Sequence, residues 1–281
     1  MSADPRALPI GVFDSGIGGL TVLRALIERL PGESFVYLGD TARLPYGTKT
    51  AATVERYALQ AVGELVRRGV KALVIACNTA SAAALPGLAA AHPQLPVVGV
   101  IEPGAAAAVA ATHSGRIAVL ATEGTVRGGA YQREIQRRLP EAEVTAIAAT
   151  LFVALAEEGW VQGPIAEAVA RRYLEPLFAA RAGHPDTLVL GCTHFPPLAG
   201  AIRAVVGAQV QIVDSAFTSA GVLARLLEAR ALRSQAPGSG TVRFLVTDGE
   251  ERFARVGPVF LGAPIAPGTI ERVDLANISP A

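Results

Sequence analysis

Residues 72–80 read Ala-Leu-Val-Ile-Ala-Cys-Asn-Thr-Ala, and residues 187–195 read Thr-Leu-Val-Leu-Gly-Cys-Thr-His-Phe. Each stretch is an apolar run of strand length, then a small residue, a cysteine and side chains that hydrogen-bond. The cysteines stand 115 positions apart, at 77 and 192. Two further pairs keep the same order: Ile10-Gly-Val-Phe against Ile117-Ala-Val-Leu, 107 apart, and residues 98–102 against 210–214, 112 apart. Three landmarks in one order at nearly one period indicate two copies of a single α/β unit.

Around these landmarks, short β-branched runs alternate with alanine- and leucine-rich segments, the pattern of an α/β protein with mainly parallel sheets. Strands are expected at 10–13, 35–38, 72–76, 97–100, 117–120, 144–147, 187–190, 210–213 and 242–246, the last after a Ser-Gln-Ala-Pro-Gly-Ser-Gly loop at 234–240. Helices are expected at 20–30, 51–68, 80–91, 129–139 and 164–182. The strand runs are almost wholly apolar, as a sheet covered by helices on both faces requires. Ligands of such sheets gather at the carboxyl ends of the strands, which is where both cysteines fall. If the copies face each other about a pseudo-twofold axis, the two thiols converge on one cleft.

Composition narrows the function classes. The chain has 281 residues, 51% apolar and 17% charged, enough for a sizeable core and unlike a disordered chain. Its 25 basic and 24 acidic residues leave a net charge of +1, which offers no electrostatic footprint for nucleic acid. Residues 1–9 lack the charged and apolar regions of a secretory signal. The longest apolar run, 105–111, is too short to span a bilayer. A cytoplasmic protein with two free thiols is the expectation.

Three loops carry polar chemistry. Asp14-Ser-Gly-Ile-Gly-Gly19 follows the first strand, and its glycine turn lets backbone amides face a substrate carboxylate. Thr21 stands where a dinucleotide fingerprint needs its third glycine, and no Walker sequence exists. The plainer reading of Asp14 is a helix cap. Gly39-Asp-Thr-Ala-Arg-Leu-Pro-Tyr-Gly47 follows the second strand and offers amides and a tyrosine hydroxyl to a small polar ligand; an ordinary loop is the alternative. The triplets Cys77-Asn78-Thr79 and Cys192-Thr193-His194 are stronger. A lone strand-end cysteine is usually a small buried apolar residue, but two at equivalent points of a repeat are harder to dismiss. A thiolate needs amide donors, a helix N-terminus or a cation. Both sites are expected to supply the first two, and His194 is placed to act on Cys192.

Other chemistries fit less well. Cys77, Cys192 and His194 form a conceivable zinc set, yet no ligand spacing supports it. No Gly-x-Ser-x-Gly elbow is present. Lys49 and Lys71 are the only lysines, and neither has the context of a Schiff base. No cofactor and no metal are therefore expected. The acidic pair Glu157-Glu158 reads as an exposed turn, and His92, His113 and His184 read as surface or loop residues.

Taken together, GVFDSGIGGLTVL, YLGDTARLPYG, ACNTASA, the ATEGTV–AYQREI region, LGCTHFPPL, VDSA at 213–216 and the FLVTDGEERF–FLG tail resemble bacterial glutamate racemases over essentially the whole chain. The paired ACNTAS and GCTHFP motifs are the specific ones. The resemblance implies two pseudosymmetric α/β domains with the active site in the cleft between them. Their expected extents are 1–101 plus 215–281 for the first and 102–214 for the second. It also implies cofactor-independent interconversion of L- and D-glutamate by two thiols, the D-isomer feeding peptidoglycan synthesis and so cell wall biogenesis and cell shape.

The family's catalytic cysteines fall on Cys77 and Cys192, and its assisting carboxylate and histidine on Asp14 and His194. A further family glutamate falls on Glu157. Substrate contacts carry over to Asp14, Ser15, Pro45, Tyr46, Gly47, Asn78, Thr79, Thr125, Thr193 and His194. The chain departs from the family pattern near Glu157, with Ala149-Thr150 for the usual Cys-Pro and Ala154 for proline, and it has Gly128 for a common serine. The expected partner is the substrate glutamate, with neither nucleic acid nor membrane; the residues do not set the oligomeric state, and a homodimer stands as the candidate assembly. An aspartate racemase of the same superfamily is the nearest alternative activity, and a zinc-dependent hydrolase the alternative from another class.

Overall fold

The structure, a computed structural model, describes residues 4–179, 183–236 and 238–275. Its strands are β1 (Ile10–Asp14), β2 (Phe35–Gly39), β3 (Ala72–Ile75), β4 (Val97–Gly99), β5 (Arg116–Ala121), β6 (Glu143–Ala148), β7 (Thr187–Gly191), β8 (Gln211–Asp214), β9 (Val242–Val246) and β10 (Ile270–Arg272). The helices are α1 (Leu20–Arg29), α2 (Ala51–Arg67), α3 (Asn78–Ala91), α4 (Ile101–Ala111), α5 (Glu123–Gly128), α6 (Ala130–Arg138), α7 (Leu151–Glu157), α8 (Pro164–Phe178), α9 (Ala199–Val206), α10 (Ser215–Ala229), α11 (Glu250–Val256) and α12 (Pro258–Leu261).

The strands form two sheets, one ordered β10-β9-β2-β1-β3-β4 and the other β6-β5-β7-β8, and every pairing is parallel. The internal repeat is visible in this order. Strands β2-β1-β3-β4 of the first sheet correspond one for one to β6-β5-β7-β8 of the second. The first sheet adds β9 and β10 at its β2 edge. This is the expected two-domain α/β architecture.

The repeated order also explains where ligands can bind. The chain runs from β1 to β2 on one side, then crosses back to place β3 on the other side of β1. β1 and β3 thus flank a topological switch point, where the loops at the carboxyl ends part and leave a crevice. Asp14 ends β1 and Cys77 follows β3. In the second sheet the equivalent crevice lies between β5 and β7, and Cys192 follows β7.

The central strands β1, β2, β3 and β7 are buried throughout, as their apolar runs require. β6 sits at a sheet edge and is half-exposed, with Glu143 and Thr145 facing outward. β10 has no counterpart among the expected strands. Its Ile-Glu-Arg sequence carries no apolar run, and only pairing with β9 defines it. α8 ends at Phe178; part of the expected 164–182 helix, residues 180–182, lies outside the described residues, as does residue 237 of the 234–240 loop. His92 departs from its expected surface role: it is buried at the carboxyl end of α3. Among the described residues no helix is long and apolar enough to cross a membrane.

Candidate active site

Cys77 is the N-cap of α3, and its sulfur accepts from the Ala80 amide at 3.4 Å. The 14-residue helix begins at the next residue, so its unpaired amides and positive dipole end meet the thiol. Burial nevertheless dominates, and with the charge of Asp14 it pushes the Cys77 thiol up to about 12, against bonds from Ser15 and Ala80. At neutral pH this sulfur holds its proton.

Cys192 is served differently. The chain after β7 turns through Thr193 and His194, and a regular helix starts only at Ala199. The expectation of a helix N-terminus at both cysteines therefore holds for Cys77 alone. Cys192 instead has His194 Nδ1 at 3.9 Å from its sulfur. The far ring nitrogen of His194 is 3.1 Å from Glu157 Oε1, and Arg252 donates to Glu157 Oε2 at 2.8 Å. Burial alone would lower the basicity of His194, but the bonds to Cys192 and Glu157 outweigh it and raise the imidazole to about 10. Burial pushes the Glu157 carboxyl the other way; its bond to His194 and the charges of His194 and Arg252 bring it below the usual range. The neutral-pH state is an imidazolium held by a carboxylate and facing the Cys192 sulfur.

Asp14 does not cap α1, whose N-cap is Gly19. Its Oδ2 accepts from the Gly16 amide at 2.9 Å, which folds the glycine loop over the carboxylate. It is fully buried, its Oδ1 has no partner, and burial raises its pKa against the nearby charge of His194. Gly18 packs against the opposite triplet so tightly that a β-carbon there would lie 2.4 Å from His194 Nδ1 and 2.5 Å from the Thr193 hydroxyl. Only glycine lets this loop close on the second thiol's neighbours.

The loop after β2 closes the pocket from another side. Buried Asp40 accepts from the Tyr46 hydroxyl at 2.5 Å, from Arg43 at 2.7 Å and from Thr247 at 3.0 Å. Tyr46 thus spends its hydroxyl inside the protein; Leu44, Pro45 and Gly47 line the pocket beside it, and the Leu44–Pro45 peptide is cis. Gly47 abuts Thr122, 2.8 Å from where its β-carbon would be. Thr79, Thr122 and Thr125 join hydroxyls at 3.0–3.2 Å across the two sheets. Behind them Tyr131 donates to Asn78 Oδ1 at 2.8 Å, which leaves the buried Asn78 Nδ2 without a protein acceptor.

One pocket collects Ser15, Pro45, Tyr46, Gly47, Cys77, Asn78, Thr79, Glu157, Cys192, Thr193 and His194. Asp14 and Thr125 are buried and do not line it; Asp14 adjoins Ser15 in the chain, and the Thr125 hydroxyl meets that of Thr79. Gly16, Leu44, Thr122 and Val153 also line it and are not among the expected substrate contacts. Thr122 has a usable signal, because it follows β5 directly, as Ser15 follows β1. Tyr131 and Arg252 had none, since each acts across the cleft. Glu157 is 12% exposed at the side chain, so it is no surface turn, whereas neighbouring Glu158 is exposed. Lys71 is buried against Glu33 at 2.5 Å, remote from the pocket. Among the described residues no group of three or more His, Cys, Asp or Glu side chains could hold a metal ion.

These features agree with what the chain is similar to. The family model described as Asp/Glu/Hydantoin racemase matches residues 10–241. A glutamate racemase of Geobacter metallireducens is 49% identical over 266 residues, covering 95% of this chain and 96% of its own. The crystal structure of a glutamate racemase from Francisella tularensis, in complex with D-glutamate, superposes with a TM-score of 0.88 at 36% identity, covering 96% of this chain and 99% of its own. That of a glutamate racemase from Thermus thermophilus, in complex with beta-chloro-D-alanine, gives 0.85 at 46% identity, with 97% and 98% covered. A match spanning both sheets and both cysteine motifs leaves one conclusion: the chain belongs to the Asp/Glu/Hydantoin racemase family.

Proposed function

We propose that this protein racemises glutamate by proton transfer between two thiols, without a cofactor or metal, and so supplies D-glutamate for peptidoglycan. The observation that carries the reading is the pair of cysteines at equivalent strand ends of two sheets of one topology, both opening into a single pocket. Inverting a stereocentre needs a base on one face and a proton donor on the other. Two copies of one unit, facing each other, supply such a pair.

With L-glutamate bound, a Cys192 thiolate takes the α-proton, with the His194 imidazolium as its counter-charge. The carbanion is then protonated on the opposite face by the Cys77 thiol, which is left as thiolate beside the α3 N-terminus. The reverse sequence converts D-glutamate. Asp14 and Glu157 assist through the loop and through His194. The α-proton is only weakly acidic, and burial of both sulfurs keeps water from the carbanion while fixed donors hold the carboxylates. Among the described residues no lysine or arginine lines the pocket; its side-chain donors are the Asn78 amide, the Ser15, Thr79, Thr122 and Thr193 hydroxyls and the His194 imidazole. Free cysteines suit the cytoplasm as its compartment.

Incubation with L-glutamate in deuterated water tests the reading: optical rotation should decay to zero while α-deuterium accumulates. Parallel incubation with L-aspartate separates the two acidic substrates. Rotation lost from aspartate but not from glutamate would reassign the substrate.

A further inference from the structure

Arg252 touches neither thiol, yet it is the last link of a chain that ends on one of them. It sits on α11, which follows β9 of the six-stranded sheet. The neighbouring Phe253 is fully buried, its ring 5.9 Å from Tyr37 and 5.8 Å from Phe244, so α11 is mounted on that sheet's core. Glu157 belongs to the other half. It is the final residue of the seven-residue α7, just before Gly159 with φ +74°. Its two carboxylate oxygens have one protein partner each, His194 at 3.1 Å and Arg252 at 2.8 Å. The ion pair therefore bridges the cleft between the sheets. The charged or titratable groups around His194 are Cys192, Glu157 with Arg252, and Asp14 from β1, while Phe260 of α12 presents its ring at 5.2 Å.

We propose that Arg252 is a positioning residue for the Cys192 thiol alone: by anchoring Glu157 across the cleft it holds His194 against the sulfur, and it does so only when the two halves are together. Cys77 has no such clasp: its donors, the Ala80 amide of its own helix and the Ser15 side chain of the loop after β1, both belong to its own half. The two thiols, alike in topology, are thus activated by unlike devices, and one of them is coupled to closure. Without Arg252, the Glu157 carboxylate at the end of a short helix turns toward solvent and the imidazolium loses its fixed orientation. This inference rests on the two-thiol racemase reading.

The test uses Arg252→Gln and Arg252→Lys beside Cys77→Ser and Cys192→Ser. Enantiomers are equal in free energy, so kcat/KM falls equally in both directions; a loss of roughly tenfold is expected for Arg252→Gln, with most of it restored in Arg252→Lys. The discriminating measurement is the α-deuterium isotope effect on kcat/KM for each enantiomer. Arg252→Gln should follow the directional pattern of Cys192→Ser, whichever enantiomer that favours. An activity-independent readout is iodoacetamide alkylation near neutral pH, followed by peptide mass mapping. Alkylation of Cys192 should slow about threefold or more in Arg252→Gln, with Cys77 unchanged. Equal growth of both isotope effects, unaltered kinetics, or a parallel change at both cysteines would overturn the clasp. A wild-type protein that racemises nothing yet shows the selective alkylation change would overturn the racemase reading and leave the clasp standing.

Discussion

Replacing Tyr131 by phenylalanine removes one oxygen and nothing else, and the consequences can be worked out from its surroundings. Tyr131 is fully buried on α6; its hydroxyl donates to Asn78 Oδ1 at 2.8 Å and interacts with the Ser215 side chain. Tyr131→Phe leaves the Asn78 carbonyl oxygen buried without a donor, a loss of about 1–3 kcal/mol. For a chain of this size that corresponds to a fall of roughly 2–5 °C in Tm. The same bond sets which end of the Asn78 amide faces the pocket. Without it the two orientations become comparable, the productive fraction falls to about half, and KM for glutamate rises about twofold. kcat should change little, because neither thiol nor His194 is touched. A double-mutant cycle with Asn78→Ala isolates the bond: Tyr131→Phe should be at least about 1 kcal/mol less destabilising once the amide is gone. Thermal unfolding and steady-state racemisation of the four proteins suffice. An equal effect of Tyr131→Phe in both backgrounds, or an unchanged KM, would refute the orienting role.

Serine is a far poorer base than a thiolate, so Cys77→Ser should enlarge the α-deuterium isotope effect on kcat/KM for D-glutamate, and Cys192→Ser for L-glutamate; interchanged patterns would swap the face assignment. Dialysed, chelator-treated enzyme should keep full activity, and strong inhibition that zinc reverses would point instead to a hydrolase-like metal site. The His194 pair should also appear in stability against pH. Its imidazole titrates near 10 when folded against 6.5 otherwise. The stabilisation is therefore complete below about 6.5 and lost as pH climbs through 10. Glu157→Gln should flatten that alkaline decline in urea unfolding, and an undiminished slope would count against the pair. A depletion strain should lyse and be rescued by external D-glutamate, and lysis despite D-glutamate uptake would detach the protein from wall synthesis.

Much of this was legible in the chain itself, because it depends on local order. Nine strands follow from short β-branched and apolar runs; the inner ones, covered on both faces, admit little else, while the edge strands β6 and β8 keep only part of that pattern. The placement of Asp14, Cys77 and Cys192 at strand ends follows from adjacency in sequence, and the repeat follows from periodicity. β10 was not legible because Ile-Glu-Arg acquires its conformation only by pairing with β9. Nor was the burial of Glu157 or His92, because charge alone says nothing about which partner lies opposite.

The tertiary structure decided how the two units differ. Sequence repeats Cys77-Asn-Thr and Cys192-Thr-His as near equivalents, yet one sulfur caps a 14-residue helix and the other faces an imidazolium. That difference is set across space: Arg252 reaches Glu157 over 95 positions, and Tyr131 reaches Asn78 over 53. The chain determines which groups stand at the strand ends, because backbone geometry carries them there. Which of them carries charge depends on the dielectric and the partners that packing brings from the opposite half, and only the folded protein contains that information.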